Sequence, residues 1–128
     1  ENQRNFGETK DVLRDGLLGG LSEIDTEDVK KCIIAYEPVW AISTTKQARS
    51  ATPDEIAASI KIIQEQLISI YGKATADEIP ILYGGSVNPN NAGTYLTIPG
   101  VNGVLVGESS LISDNFNEII ETAKRVRE

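Results

Sequence analysis

Apolar residues along this chain follow two distinct patterns. Ile56, Ile60, Ile63, Leu67 and Ile70 recur at alternating steps of four and three, which lays them on one face of a helix. Thr52 and Glu55 have capping-box spacing, Pro53 takes the first helical position, and Gly72 follows the last turn. Phe116, Ile119, Ile120, Ala123 and Val126 repeat the helical pattern after a Ser113-Asp114 start. Val12, Leu13 and Leu17 predict a helix near the beginning that closes around Gly19-Gly20. Ala92, Tyr95 and Leu96 predict a shorter one after Asn88-Pro89. The second pattern is three short, dense apolar runs: Cys32 to Tyr36, Ile79 to Tyr83, and Val101 to Val106. Such runs predict strands buried on both faces of a parallel sheet. Helices alternate with them, so the fold class is α/β with right-handed βαβ crossovers. Residues 1–128 read as a single segment without a linker. Three strands make either a small open sheet or part of a barrel.

Composition narrows the function. The chain has 128 residues, 40% hydrophobic and 24% charged, which is ordinary globular usage. No apolar run approaches the ~18 residues of a membrane span, and Glu1 to Asn5 lack the features of a signal peptide. The single cysteine, Cys32, favours a reducing compartment and reads as a packed strand residue, so a cytoplasmic location is expected. A net charge of −7 argues against a nucleic-acid surface. The basic cluster at Lys124, Arg125 and Arg127 reads as surface charge that suits a helix C-terminus. There is no histidine, so proton chemistry must rest on carboxylates or on groups from elsewhere.

Ligands of α/β proteins bind at the carboxyl ends of strands, and all three predicted strands end unusually. The first ends in Glu37, followed by the stiff Pro38-Val39-Trp40 and about a dozen small and hydroxyl residues before the Thr52 cap. A loop of that composition between rigid ends suits a hinged lid, although position alone also allows an ordinary solvent-facing glutamate. The second strand ends in Gly84-Gly85-Ser86, where backbone N–H groups can face an anion. The third ends in Gly107-Glu108-Ser109-Ser110, by itself no more than a cap signal. Together the three make a phosphate-sized pocket plausible.

Ala35-Tyr36-Glu37-Pro38-Val39-Trp40-Ala41-Ile42 resembles the signature of the triosephosphate isomerase family. Thr52-Pro53, Tyr83-Gly84-Gly85-Ser86-Val87, Gly103 to Gly107 and Ser110-Leu111 resemble its later motifs, in order and at sensible spacing. Gly7 and Thr9 onward resemble the helix after the family's fifth strand. The resemblance implies part of a (β/α)₈ barrel, strands six to eight with helices five to eight, and hence the C-terminal half of a homodimeric isomerase of glycolysis and gluconeogenesis. The substrate would be a small phosphorylated triose, dihydroxyacetone phosphate or glyceraldehyde 3-phosphate, turned over through an enediolate without cofactor or metal. Glu37 would be the catalytic base. Ser43, Ser86, Gly107 and Glu108 would bind the substrate phosphate. Pro38, Val39, Trp40, Ala41, Ile42, Thr44, Thr45 and Lys46 would form the lid, with Tyr83 and Ser86 as its latch.

Three departures qualify that picture. The lid tip reads Ser43-Thr44-Thr45-Lys46 where the family has Gly-Thr-Gly-Lys, and about three extra residues around Gln47 to Arg49 lengthen its distal hinge. Glu108 replaces a second glycine, and its carboxylate is expected to point away from a phosphate. The family's electrophilic histidine, with its asparagine and lysine, has no counterpart here, so the chain alone is expected to be close to inactive. The readings that stand are an isomerase segment needing an N-terminal half-barrel, a phosphate-binding half-barrel, and a module that self-associates through open strand edges.

Overall fold

The computed structural model describes residues 8–38 and 50–128. Helix α1 (Glu8–Leu21) is followed by the short α2 (Thr26–Val29), strand β1 (Ile34–Tyr36), the long helix α3 (Pro53–Tyr71) and the short α4 (Lys73–Ala76). Strand β2 (Ile81–Gly84), helix α5 (Ala92–Leu96), strand β3 (Gly103–Leu105), a 3₁₀ turn (Glu108–Leu111) and helix α6 (Ser113–Arg127) complete the order. The strands form one parallel sheet in chain order β1-β2-β3, with Ile34 opposite Ile81 and Leu82 opposite Gly103. The expected α/β alternation with parallel strands is what the chain adopts.

Local chemistry explains the elements. The Thr52 hydroxyl accepts from the Glu55 N–H at 3.2 Å, while Glu55 Oε2 accepts from the Thr52 N–H at 2.9 Å. The start of α3 is therefore closed from both sides. Ile56, Ile60, Ile63 and Leu67 are buried along it and form the centre of the core with Val29, Ile81, Tyr83 and Ile119. Tyr71, at the far end of α3, donates to the Leu21 and Ile24 carbonyls and ties that end to the close of α1.

Each strand begins with a tie to its neighbour. The Ile34 N–H donates to the Pro80 carbonyl at 2.9 Å. Asn102 extends the β2–β3 ladder backwards, its N–H donating to the Ile81 carbonyl and its Oδ1 accepting from the Ile81 N–H, both at 2.8 Å. Gly103 is small where it needs to be, since a Cβ there would lie 2.9 Å from Leu82 Cδ2. Gly100 adopts a positive φ of 87°, with Ile60 and Gln64 packed where a side chain would point.

Three expectations change. Burial on both faces holds only for the central strand β2; Ala35 of β1 and Leu105 of β3 are exposed. Side chains alternate along a strand, so Tyr36, Ile81 and Tyr83 meet the helices while Ala35 and Leu105 occupy the open face. Cys32 precedes β1 instead of lying within it, half-buried, with Sγ 3.7 Å from the Asp28 carbonyl oxygen. Ser113-Asp114 opens α6 as expected, with Ile112 at the cap position and no side-chain cap. The basic tail is more than surface charge, because Arg127 donates to the Val101 carbonyl at 3.0 Å and anchors the end of α6 to the approach of β3. Among the described residues no helix is long and apolar enough to cross a membrane.

Candidate active site at the carboxyl ends of the strands

The parallel register brings Glu37, the Gly84-Gly85-Ser86 turn and the Gly107-Glu108 turn to the same end of the sheet. Glu37 follows Tyr36, so its side chain falls on the open face rather than among the helices. There it crosses the end of β2. A Cβ placed on Gly84 would lie 2.8 Å from Glu37 Cγ and 2.9 Å from Glu37 Oε1. Gly84 is thus the bed on which the carboxylate arm rests, and any larger residue would displace it. Glu37 is solvent-exposed and the adjoining Pro38 is buried. The remaining lid residues named above, Val39, Trp40, Ala41, Ile42, Ser43, Thr44, Thr45 and Lys46, lie outside the described residues.

Behind this end of the sheet stand three tyrosines. Tyr83 is fully buried, its ring 6.4 Å from that of Tyr36 and 4.6 Å from that of Tyr95. The Tyr36 hydroxyl donates to Ser59 Oγ at 3.0 Å. The Tyr83 hydroxyl is buried without a hydrogen bond of good geometry, although the Ala51 backbone and the Tyr95 side chain lie close enough to influence its ionisation. Burial, first, and the neighbouring tyrosines, second, push the Tyr83 phenol far above its ordinary range. Tyr36 is raised as well, chiefly by burial and partly offset by its bond to Ser59.

The turn after β2 is braced by Asn88, expected only as part of a helix start, and by Asn91, which no sequence pattern had singled out. Asn88 Oδ1 accepts from the N–H groups of Asn90 and Asn91, at 2.9 and 3.1 Å, and Asn91 Oδ1 accepts from the Asn88 N–H at 2.8 Å. Asn91 Nδ2 also donates to the Ser86 carbonyl at 2.7 Å. The available signal was the Asn-x-x-Asn spacing of 88 and 91, a reciprocal cap built from amides. The turn after β3 is simpler. The Ser110 N–H and hydroxyl both donate to the Gly107 carbonyl, at 2.9 and 2.6 Å, and Gly107 and Glu108 are both exposed.

One cavity among the described residues lies elsewhere. It opens at the amino ends of β2 and β3, between Gln64, Lys73, Asp77 and Asn102. No group of three or more histidine, cysteine, aspartate or glutamate side chains among the described residues could hold a metal ion.

A parallel sheet with helical crossovers, carrying a carboxylate and two glycine turns at its strand ends, defines the class as α/β. The sequence model of the family described as Triosephosphate isomerase matches residues 1–123. The chain belongs to the triosephosphate isomerase family. It is 41% identical over 122 residues to the triosephosphate isomerase of Chloroherpeton thalassium, an alignment covering 95% of this chain and 47% of that protein. The Fusobacterium nucleatum enzyme is 43% identical over 118 residues, covering 92% of this chain and 46% of the relative. The Mycoplasmoides gallisepticum enzyme is 47% identical over 113 residues, covering 88% and 44%. The chain therefore spans about half the length of the curated relatives it matches.

Proposed function

We propose that this chain supplies the proton-transferring carboxylate and the phosphate grip of a triosephosphate isomerase. The observation that carries the reading is Glu37 laid across Gly84, next to a glycine-serine turn, in a chain matched to the family over nearly its whole length. In this reading Glu37 takes a proton from the carbon beside the substrate carbonyl and returns it to the neighbouring carbon through an enediolate. An exposed carboxylate is a weak base toward carbon, so the site must close to exclude water. Residues 38 to 46 act as that lid, and Tyr83 and Ser86 hold it shut. Ser43, Ser86, Gly107 and Glu108 offer backbone N–H groups to the phosphate, with the Glu108 side chain turned outward. The exposure of Glu108 supports that orientation.

In the same reading the strands are the sixth to eighth of an eight-stranded barrel, as the motif order suggests. The open sheet face then turns toward the barrel interior. No histidine is present to polarise the substrate carbonyl, so that group comes from an N-terminal half-barrel. The complete assembly is a cytoplasmic, homodimeric enzyme of triose phosphate metabolism that uses no cofactor. The test is an isomerase assay on the 128-residue chain alone and with an N-terminal half-barrel from a relative supplied in trans. The chain alone is expected near background, with activity recovered in the mixture. Glu37→Gln should lower the recovered rate by about 10²–10⁴-fold, the usual contribution of a general base. A mixture that binds inorganic phosphate but never turns over substrate would point instead to a binding half-barrel.

A further inference from the structure

We infer that Asn91 is a positioning residue for anion binding, acting through the backbone of the Gly85-Ser86-Val87 turn without touching the ligand. The inference rests on the phosphate-grip reading of Ser86. Two consecutive peptide units in this turn are held. The Ser86–Val87 unit is fixed at both ends, its carbonyl by Asn91 Nδ2 at 2.7 Å and its N–H by the Gly85 carbonyl at 2.9 Å. The preceding unit is held by that same Gly85 carbonyl. Because the described peptide bonds are all trans, drawing the Gly85 carbonyl toward Val87 turns the Ser86 N–H to the opposite side.

Glycine at 84 and 85 leaves this turn with little intrinsic preference for one conformation, so the order must come from outside. Asn91 provides it because its own amide is fixed: Oδ1 accepts from the Asn88 N–H, which directs Nδ2 at Ser86. Its backbone N–H is in turn held by Asn88 Oδ1 at 3.1 Å. One half-buried amide thus links the entry of α5 to the orientation of the turn. An N–H aimed in advance binds an anion without the ordering cost a free glycine turn would bear.

The experiment compares Asn91→Ala with Asn88→Ala in the 128-residue chain. Asn88→Ala removes the cap on Asn90 and Asn91 but leaves the Asn91 amide and its bond to Ser86 in place. The readouts are inorganic phosphate affinity by amide NMR titration, hydrogen exchange of the Val87 amide, and thermal unfolding. Both substitutions are expected to lower the unfolding midpoint to a similar degree. Asn91→Ala should also weaken phosphate binding about tenfold and speed Val87 exchange at least tenfold, with Asn88→Ala changing each less than threefold. Equal effects of the two variants would reduce Asn91 to a helix cap and overturn the inference, as would unchanged Val87 exchange in Asn91→Ala. If the unsubstituted chain shows no phosphate shifts, the phosphate-grip reading fails and this inference falls with it; faster Val87 exchange would then mark Asn91 as a backbone brace only. If the alanine variant does not fold, Asn91→Asp, which keeps an acceptor for the Asn88 N–H but replaces the donor with a charged carboxylate oxygen, is read by Val87 exchange alone, since its charge would itself repel phosphate.

Discussion

At the residue scale the sharpest dependence is between Gly84 and Glu37. A methyl group at position 84 meets the Glu37 side chain at 2.8 Å, and that side chain can swing away because it is exposed and flexible. Gly84→Ala is therefore expected to leave the thermal unfolding midpoint nearly unchanged. In the proposed reading, the rate of the complemented enzyme should fall by about 10²-fold, the scale of a 1 Å misplacement of a reacting group. The tyrosines behind the site make a second prediction. A phenol raised in the fold stays neutral where the unfolded chain already ionises. Stability is then complete below the ordinary phenol pKa of about 10 and falls as pH rises through and above it. Urea unfolding between pH 8 and 11 should show that loss, and Tyr83→Phe should reduce it. The same substitution removes a poorly bonded buried hydroxyl, so at neutral pH stability should hold or rise by about 1 kcal/mol at most. Glu37, Gly84 and Ser86 were legible as candidates because strand-end position and residue type are local properties. The crossing of Glu37 over Gly84 was not, because it depends on the register between two strands 47 positions apart, with Ile34 opposite Ile81.

At the element scale, α3 was legible almost to the residue. Its cap, first-turn proline, apolar stripe as far as Leu67 and terminal glycine all act within a few positions of one another, whereas Ile70, expected on the stripe, is exposed. Thr52→Ala removes one half of the capping box and is expected to cost about 1 kcal/mol, readable as a lower urea midpoint with unchanged slope. The strands were predicted too long. Cys32-Ile33, Ile79-Pro80 and Val101-Asn102 fall inside the predicted runs, yet pairing begins only at Ile34, Ile81 and Gly103. Proline 80 has no N–H to give, so the approach to β2 serves β1 only as an acceptor. The short α2 and α4 escaped prediction because neither has room for a periodic face. The first depends on Asp25, which accepts from the Asp28 N–H at 2.8 Å.

For the whole molecule, the decisive fact is the open face of the sheet. Composition showed a chain capable of a core, and it has one, but only on the helical side. Leu105 on that face and Ile33 just before β1 are exposed, and so, in the turn leading to α6, are Leu111 and Ile112. Exposure is set by what packs against a residue, which is why it was invisible in the residue types. A dye that reports exposed apolar surface, such as anilinonaphthalene sulfonate, should fluoresce with the isolated chain. Its signal should fall when the N-terminal half-barrel is added in trans; an undiminished signal would mean that the added half does not cover this face.

The chain-order arrangement of the strands also has a kinetic consequence. Leu82 and Gly103 are 21 positions apart, whereas Ile34 and Ile81 are 47 apart. Closing the longer loop costs about 0.7 kcal/mol more chain entropy, from (3/2)RT ln(47/21). Refolding from denaturant should accordingly begin around β2, α5 and β3, with β1 joining an edge already formed.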